Sequence, residues 1–211
     1  MVIVVLSPAR TGTSKVTYLL QAILGIPMGV SRKELTFEKE GNECPVFRRL
    51  NFEVCHGSSH GRPFILKKIK KAIGQRASGH KVWGWKNPRT CRTIHVIHPF
   101  LKDPKYIVIR RDVRSSASSA VKLAQRKKKL KLTVSVILQT ITRQNKSLNT
   151  FLKDNPDVSV LELSFNRLFS NKGQALGELH RLVSFLGYPT KKAIEMLKFV
   201  DCTRKNSSSL E

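Results

Sequence analysis

Hydrophobic and polar positions follow two rhythms along the chain. Met1 to Leu6 (MVIVVL) is a continuous, β-branched apolar run. A strand covered on both faces, as in a parallel sheet, has this pattern. Comparable runs lie at Lys81 to Trp85, Lys105 to Ile109 (KYIVI) and Val158 to Leu163 (VSVLEL). Between them the period lengthens to that of a helix. In Thr13 to Leu24 the apolar residues Val16, Leu19, Leu20 and Ile23 share one face, and Gly25 and Pro27 end the segment. Further helices are predicted over Phe64 to Gln75, Pro88 to Leu101, Arg114 to Arg126, Leu132 to Leu152, Ala175 to Leu186 and Lys191 to Phe199. Val30 to Gly61 reads as irregular. Strands alternating with helices imply a single α/β domain with a parallel sheet flanked by helices. Its expected bounds are 1–205, followed by a flexible polar tail over 206–211.

Composition sharpens this picture. With 40% hydrophobic residues in 211, the chain can build a core, which excludes a disordered protein. No apolar run reaches the ~18 residues of a membrane helix. No charged lead and cleavage site precede the first strand, so a cytoplasmic, reducing setting is expected. Four cysteines, Cys44, Cys55, Cys91 and Cys202, lack C-x-x-C spacing and are expected to be free thiols. Lysine and arginine number 39 against 14 acidic residues, a formal charge of +25. Such a field attracts nucleic acid, anionic glycans, membrane surfaces or nucleotide phosphates, and composition does not choose among them.

Local motifs do choose. The turn after the first strand reads SPARTGTS, Ser7 to Ser14. Against the phosphate-loop pattern Gly-x-x-x-x-Gly-Lys-Ser/Thr, Gly12 and Ser14 fall in register and Thr13 replaces the lysine. Backbone N–H groups and the helix dipole still favour an anion there, with Arg10, Thr11, Thr13 and Ser14 adding donors. A metal-free phosphate site is expected. A second element follows the strand KYIVIR, where Arg111 leads into RDVRSSASSAVK. Ligands of open α/β sheets sit beyond the carboxyl ends of the strands, so Arg111, Ser118 and Ser119 are placed to meet a second phosphate. Asp112 is also a helix-capping residue type.

This ordered set resembles the sulfotransferases that use 3′-phosphoadenosine-5′-phosphosulfate (PAPS). Ala9 to Ser14 is similar to their 5′-phosphosulfate loop. Arg111-Asp112-Val113-Arg114 with Ser119 is similar to their 3′-phosphate element, with valine where proline is usual. GWKNPR (Gly84 to Arg89) resembles the Lys-x-Pro-Arg segment of bacterial and viral members. LELSFNRLF and FLGYP (Phe185 to Pro189) resemble the closing strand and helix. The resemblance implies the P-loop-like sulfotransferase fold, PAPS as donor and 3′-phosphoadenosine-5′-phosphate (PAP) as product. It further implies sulfonate transfer to a hydroxyl or amine without a metal. Lys15 stands where cytosolic members carry an adenine-stacking tryptophan, and Lys86-Asn87-Pro88 replaces their Lys-Thr-His. For the leaving phosphate, preorganised cations are required, and Arg10 and Lys86 are the candidates. For the base, Glu43 is the first choice, with Glu40, Glu38 and His56 behind it. The basic clusters KKIKK (Lys67 to Lys71) and RKKKLK (Arg126 to Lys131) make an anionic acceptor one option. They leave open a nucleic-acid-binding module, and the loop leaves open a kinase-like phosphotransferase. His95 with His98 and His56 with His60 have helical spacing, but no third ligand completes a metal site.

Overall fold

The computed structural model of the protein describes residues 1–31, 33–37, 42–57, 61–126 and 134–205, the last five by backbone alone. Glu38, Glu40, His60, most of the RKKKLK cluster and the predicted tail 206–211 lie outside the described residues.

Four strands form one sheet: β1 (Val2–Val5), β2 (Trp83–Lys86), β3 (Pro104–Arg110) and β4 (Ser159–Ser164). Their order is β2-β1-β3-β4, and every neighbouring pair is parallel. The helices are α1 (Thr13–Ala22), α2 (Pro45–His56), α3 (Gly61–Gly79), α4 (Thr90–Ile97), α5 (Val113–Arg126), α6 (Val134–Asp154), α7 (Phe165–Leu168), α8 (Lys172–Leu186) and α9 (Lys191–Lys205). The predicted α/β class is therefore observed.

The apolar run of β1 explains the layering. Ile3 and Val5 face a core shared with α1, α8 and α9, while Val2, Val4 and Leu6 face a second core shared with α2, α3, α4 and α6. A strand buried on both faces has no polar side to offer, which is why the run is uninterrupted. In the second core Phe47 stacks on Trp85 with ring centroids 4.0 Å apart, and Trp83 lies beside Trp85 at 5.7 Å. Gly84 separates the two tryptophans because β1 approaches closely: a Cβ there would stand 2.3 Å from the Ile3 carbonyl oxygen.

From β1 the chain crosses to β2 on one side, then returns past β1 to β3 on the other. The strand order thus reverses between β1 and β3. A crevice opens at such a switch point, beyond the carboxyl ends of the strands. The loop after β1 and the arginines ending β3 both arrive there.

Two segments differ from the sequence reading. Pro45–His56, predicted irregular, is a helix opened by Pro45 at its first position. The second strand extends through Lys86 rather than ending at Trp85, so Lys86 sits in the sheet. Among the described residues, no helix is long and apolar enough to cross a membrane.

Candidate active site

The loop between β1 and α1 is fixed from three directions. The Ser7 hydroxyl accepts from the backbone N–H of Ile109 on β3 at 2.5 Å. The Thr11 hydroxyl donates to the Pro8 carbonyl at 2.9 Å. The buried amide of Gln144, on α6, accepts from the N–H of Ala9 at 3.0 Å. Arg10 and Gly12 both take left-handed backbone conformations, with φ of 67° and 85°. Gly12 does so against the rings of α7 and its end: a Cβ at Gly12 would lie 2.8 Å from Phe165 and 3.0 Å from Phe169. Glycine is thus required by conformation and by space together. Arg10 in the same region is a strained non-glycine residue, a kind of outlier that clusters at functional sites.

Arg10 reaches across the crevice. Its Nε and Nη2 donate to the Ser119 hydroxyl at 3.1 and 2.9 Å. Arg111 donates through Nη1 to the Arg10 carbonyl at 2.8 Å, and its guanidinium lies 3.9 Å from the Phe165 ring centroid. Its Nε is buried without a partner. Burial first, then the charge of Arg10, lowers the Arg111 pKa from its usual value. Two cations held this close, one with an orphan N–H, favour an added anion. Asp112 offsets the repulsion at Arg111 in part, while its carboxylate accepts from the Ser115 N–H at 2.8 Å, which caps α5 and lowers its own pKa. Ser118 is exposed on α5, and its side-chain hydroxyl makes no hydrogen bond among the described residues.

The other flank of the loop is built from β2. Lys86, 2% exposed, donates to the Ser14 hydroxyl at 3.2 Å and stands 3.6 Å from the Glu43 carboxylate. The lysine missing at position 13 of the loop is thus replaced in space by one from the neighbouring strand. Glu43 in turn accepts from the Asn87 side-chain amide at 2.8 Å. Asn87 is itself held by Asn51 of α2 at 3.2 Å, and its oxygen also accepts from the Arg89 N–H at 2.9 Å. Asn51 donates to Thr90 at 2.8 Å and accepts from Thr93 at 2.6 Å, so a buried polar chain fixes the Glu43 carboxylate. Asn42, with φ of 43°, ties the same segment to the end of the loop by donating to the Ser14 carbonyl at 2.9 Å.

Of the residues singled out from sequence, Arg10, Thr11, Gly12, Thr13, Ser14, Glu43, Lys86, Arg111 and Ser119 converge on this sheet edge. His56 ends α2, stacked on Phe52 with its Nδ1 2.9 Å from the Phe52 carbonyl oxygen. Sequence reasoning missed Asn42, Asn51, Asn87 and Gln144, whose partners are remote in sequence. It also missed the Phe165–Phe169 pair, which packs under Gly12 of the loop, with Phe165 also under the predicted Arg111. Asn87 carried a usable signal, since it lies inside the KNPR motif. Lys15 packs over Phe37 and Phe169, at 5.2 and 4.8 Å. Cys44, Cys55 and Cys91 are free thiols. Among the described residues, no three histidine, cysteine or acidic side chains gather as metal ligands.

A family model described as the sulfotransferase family matches residues 3–192. The chain belongs to the sulfotransferase family. Its fold matches the sulfotransferase domain from the curacin biosynthetic pathway, with a TM-score of 0.55 and 14% sequence identity. That alignment covers 90% of this chain and 74% of the other. A search of the curated proteins gave no match. The loop between β1 and α1, the arginines ending β3 and the lysine ending β2 thus belong to a sulfotransferase fold.

Proposed function

We propose that the protein transfers a sulfonate group from PAPS to an acceptor hydroxyl or amine, releasing PAP, without a metal. One observation carries this reading: three separate segments bring Arg10, Lys86 and Arg111 to one crevice, beside a helix start and the Glu43 carboxylate. The residues fit a donor with phosphates at two points. The orphan Arg111 Nε–H awaits an acceptor, and the Arg10–Arg111 pair gains from an added anion.

In this reading Arg10, Thr11, Gly12, Thr13 and Ser14 hold the 5′ end of the donor, and Arg111, Ser118 and Ser119 hold the 3′-phosphate. The donor, when bound, supplies the activated sulfonate. Glu43 takes the proton from the acceptor, with its second oxygen fixed by Asn87. Lys86 is shared between Ser14 and Glu43. Negative charge arriving near Ser14 draws Lys86 toward it and relieves Glu43 of its counter-ion, which strengthens Glu43 as a base. Lys86 and Arg10 then meet the charge that develops on the leaving phosphate oxygen. A cytoplasmic setting and a one-domain unit over 1–205 complete the reading.

The test is a thermal-shift panel. PAP at ~100 times its dissociation constant should stabilise the fold by about 2.7 kcal/mol, a shift of roughly 5–10 °C. ATP with magnesium should shift it less. Arg111→Ala should weaken binding by about 1.5–3 kcal/mol for ligands with the 3′-phosphate, and far less for those without it. A larger shift with ATP would favour a kinase-like phosphotransferase, which would draw on the same Lys86–Ser14 contact. An unchanged preference for the 3′-phosphate in Arg111→Ala would end the assignment of that residue.

A further inference from the structure

Resting on the transfer reading above, we infer that the acceptor is an acidic oligosaccharide, held along a basic track that runs from Glu43 to a cavity between α2, α3 and α4. The charge of this layer is lopsided. These three helices contain nine lysines and arginines and one glutamate, Glu53. Glu53 is already engaged by Arg49 at 3.2 Å and Lys68 at 2.9 Å, which lowers its pKa. No carboxylate in these helices remains to balance the other cations.

The track can be followed contact by contact. The Asn87 amide that holds Glu43 also binds the backbone of Arg89. The Arg89 guanidinium lies 5.8 Å from the ring centroid of Phe52, which is 51% exposed. One turn further along α2 is Cys55. Cys55 and Arg92 line a cavity of about 560 Å³ together with Arg62, His95, Ile65 and Leu66. The guanidinium groups of Arg62 and Arg92 make no hydrogen bond or ion pair among the described residues. From the start of α2 to Cys55 the rise is on the order of 15 Å. An acceptor that uses both ends must therefore be an extended molecule with a nucleophilic group at one end and acid groups at the other.

Guanidinium forks match carboxylate and sulfate groups in a bidentate way. A sugar ring has apolar C–H faces and polar edges, which suits a cavity with mixed arginine and aliphatic walls. Single-stranded nucleic acid is bound on successive aromatic platforms. Here Lys68 lies 4.6 Å from the ring centroid of Phe64 and His56 stacks on Phe52 at 4.2 Å, so no run of open aromatic faces lines the track among the described residues. A membrane surface would require a contiguous apolar patch, whereas the exposed Val46 and Phe52 are separated by Arg48 and Arg49.

The test measures binding of a fluorescent oligogalacturonate, with no donor present, against a neutral oligogalactan of equal length. The acidic chain should bind at least about tenfold tighter. The double variant Arg62→Glu, Arg92→Glu should lose about tenfold of that affinity and keep the wild-type thermal shift with PAP. Reversing Lys191 and Lys198, exposed on α9 at the opposite face of the sheet, should change it less than about twofold. Equal losses from both faces would mean general charge attraction and would overturn the track. So would equal binding of the neutral chain, or tighter binding of anionic phospholipid vesicles or short single-stranded DNA. If the acidic chain binds in an Arg62- and Arg92-dependent way while PAP gives no shift, the transfer reading falls and the anion track stands.

Discussion

Glu43 and Lys86 illustrate how a single residue's surroundings assign its chemistry. Both are among many charged residues in a chain of 39 cations and 14 acids, and among the described residues these two lie together beside the loop serine. Glu43→Gln removes a base but keeps the Asn87 hydrogen bond through its remaining oxygen. Turnover should fall about 10²–10⁴-fold with PAP affinity near wild type. Lys86→Ala should lower both turnover and PAP affinity, because its cation serves the donor as well as the carboxylate. Steady-state rates and PAP titrations on the two variants check this split. If Glu43→Gln turns over at the wild-type rate, the base lies elsewhere. Gly12 is decided as sharply by space. Gly12→Ala places a Cβ within 2.8 Å of Phe165 at a φ of 85°, and should destabilise the fold by about 1–3 kcal/mol. Denaturant titration of that variant reads the cost directly, and a loss below a few tenths of a kcal/mol would contradict it.

At the scale of elements, the structure shows which segments advertise themselves. The strand runs and the long amphipathic helices declare their period, and they were predicted within about four residues, except that α9 runs on from Phe199 to Lys205. The helix Pro45–His56 did not, because one of its buried positions is polar: Asn51 faces inward beside Phe47 and Leu50. Its inward side chain is satisfied by Thr90, Thr93 and Asn87, partners about 40 residues away in sequence. The short turn after α4, His98–Phe100, has its own signature. The ring nitrogen Nδ1 of His98 lies 2.7 Å from the Tyr106 hydroxyl, and its ring packs against Phe151 at 5.3 Å. Burial lowers the His98 pKa below its ordinary value. The unfolded chain therefore binds the proton at a higher pH than the folded one. Stability should fall as the pH drops through the ordinary histidine range, and is fully present above it. His98→Gln keeps an acceptor for Tyr106 but does not titrate. Its melting temperature should fall less than that of wild type between about pH 7.5 and pH 5.5. Parallel losses in both proteins would assign the acid sensitivity to other groups.

Across the whole molecule, the formal charge of +25 repels itself. The few ion pairs formed by described residues do little against this, since most involve exposed partners. Salt shortens the reach of that repulsion, so the melting temperature should rise by a few degrees between about 0.05 and 0.3 M sodium chloride. Calorimetry at fixed pH measures it, and a monotonic fall with salt would show that screened attractions outweigh the repulsion. The same charge stands in different company on the two faces of the sheet. Glu178, fully buried in α8, caps the end of β4 by accepting from the Ser164 N–H and pairs with Arg167 and Arg181. The α2–α4 layer has no comparable buried acid.

What the sequence determined by itself was the fold class and the two turns proposed to hold the donor's phosphates. Continuous apolar runs leave a strand no polar face to expose, and the turn types at Ser7 to Ser14 and after Arg110 follow from residues adjacent in the chain. Glu43 and Lys86 could be nominated, but sequence had no means of placing them together. That pairing depends on the crossover that lays β2 beside β1, on Gly84 letting the strands approach, and on Asn51 of α2 meeting Asn87 in the turn before α4. Such contacts join residues 36 to 72 positions apart. They are fixed only when the sheet order is fixed, and strand order is a property of the packed tertiary structure rather than of any local pattern.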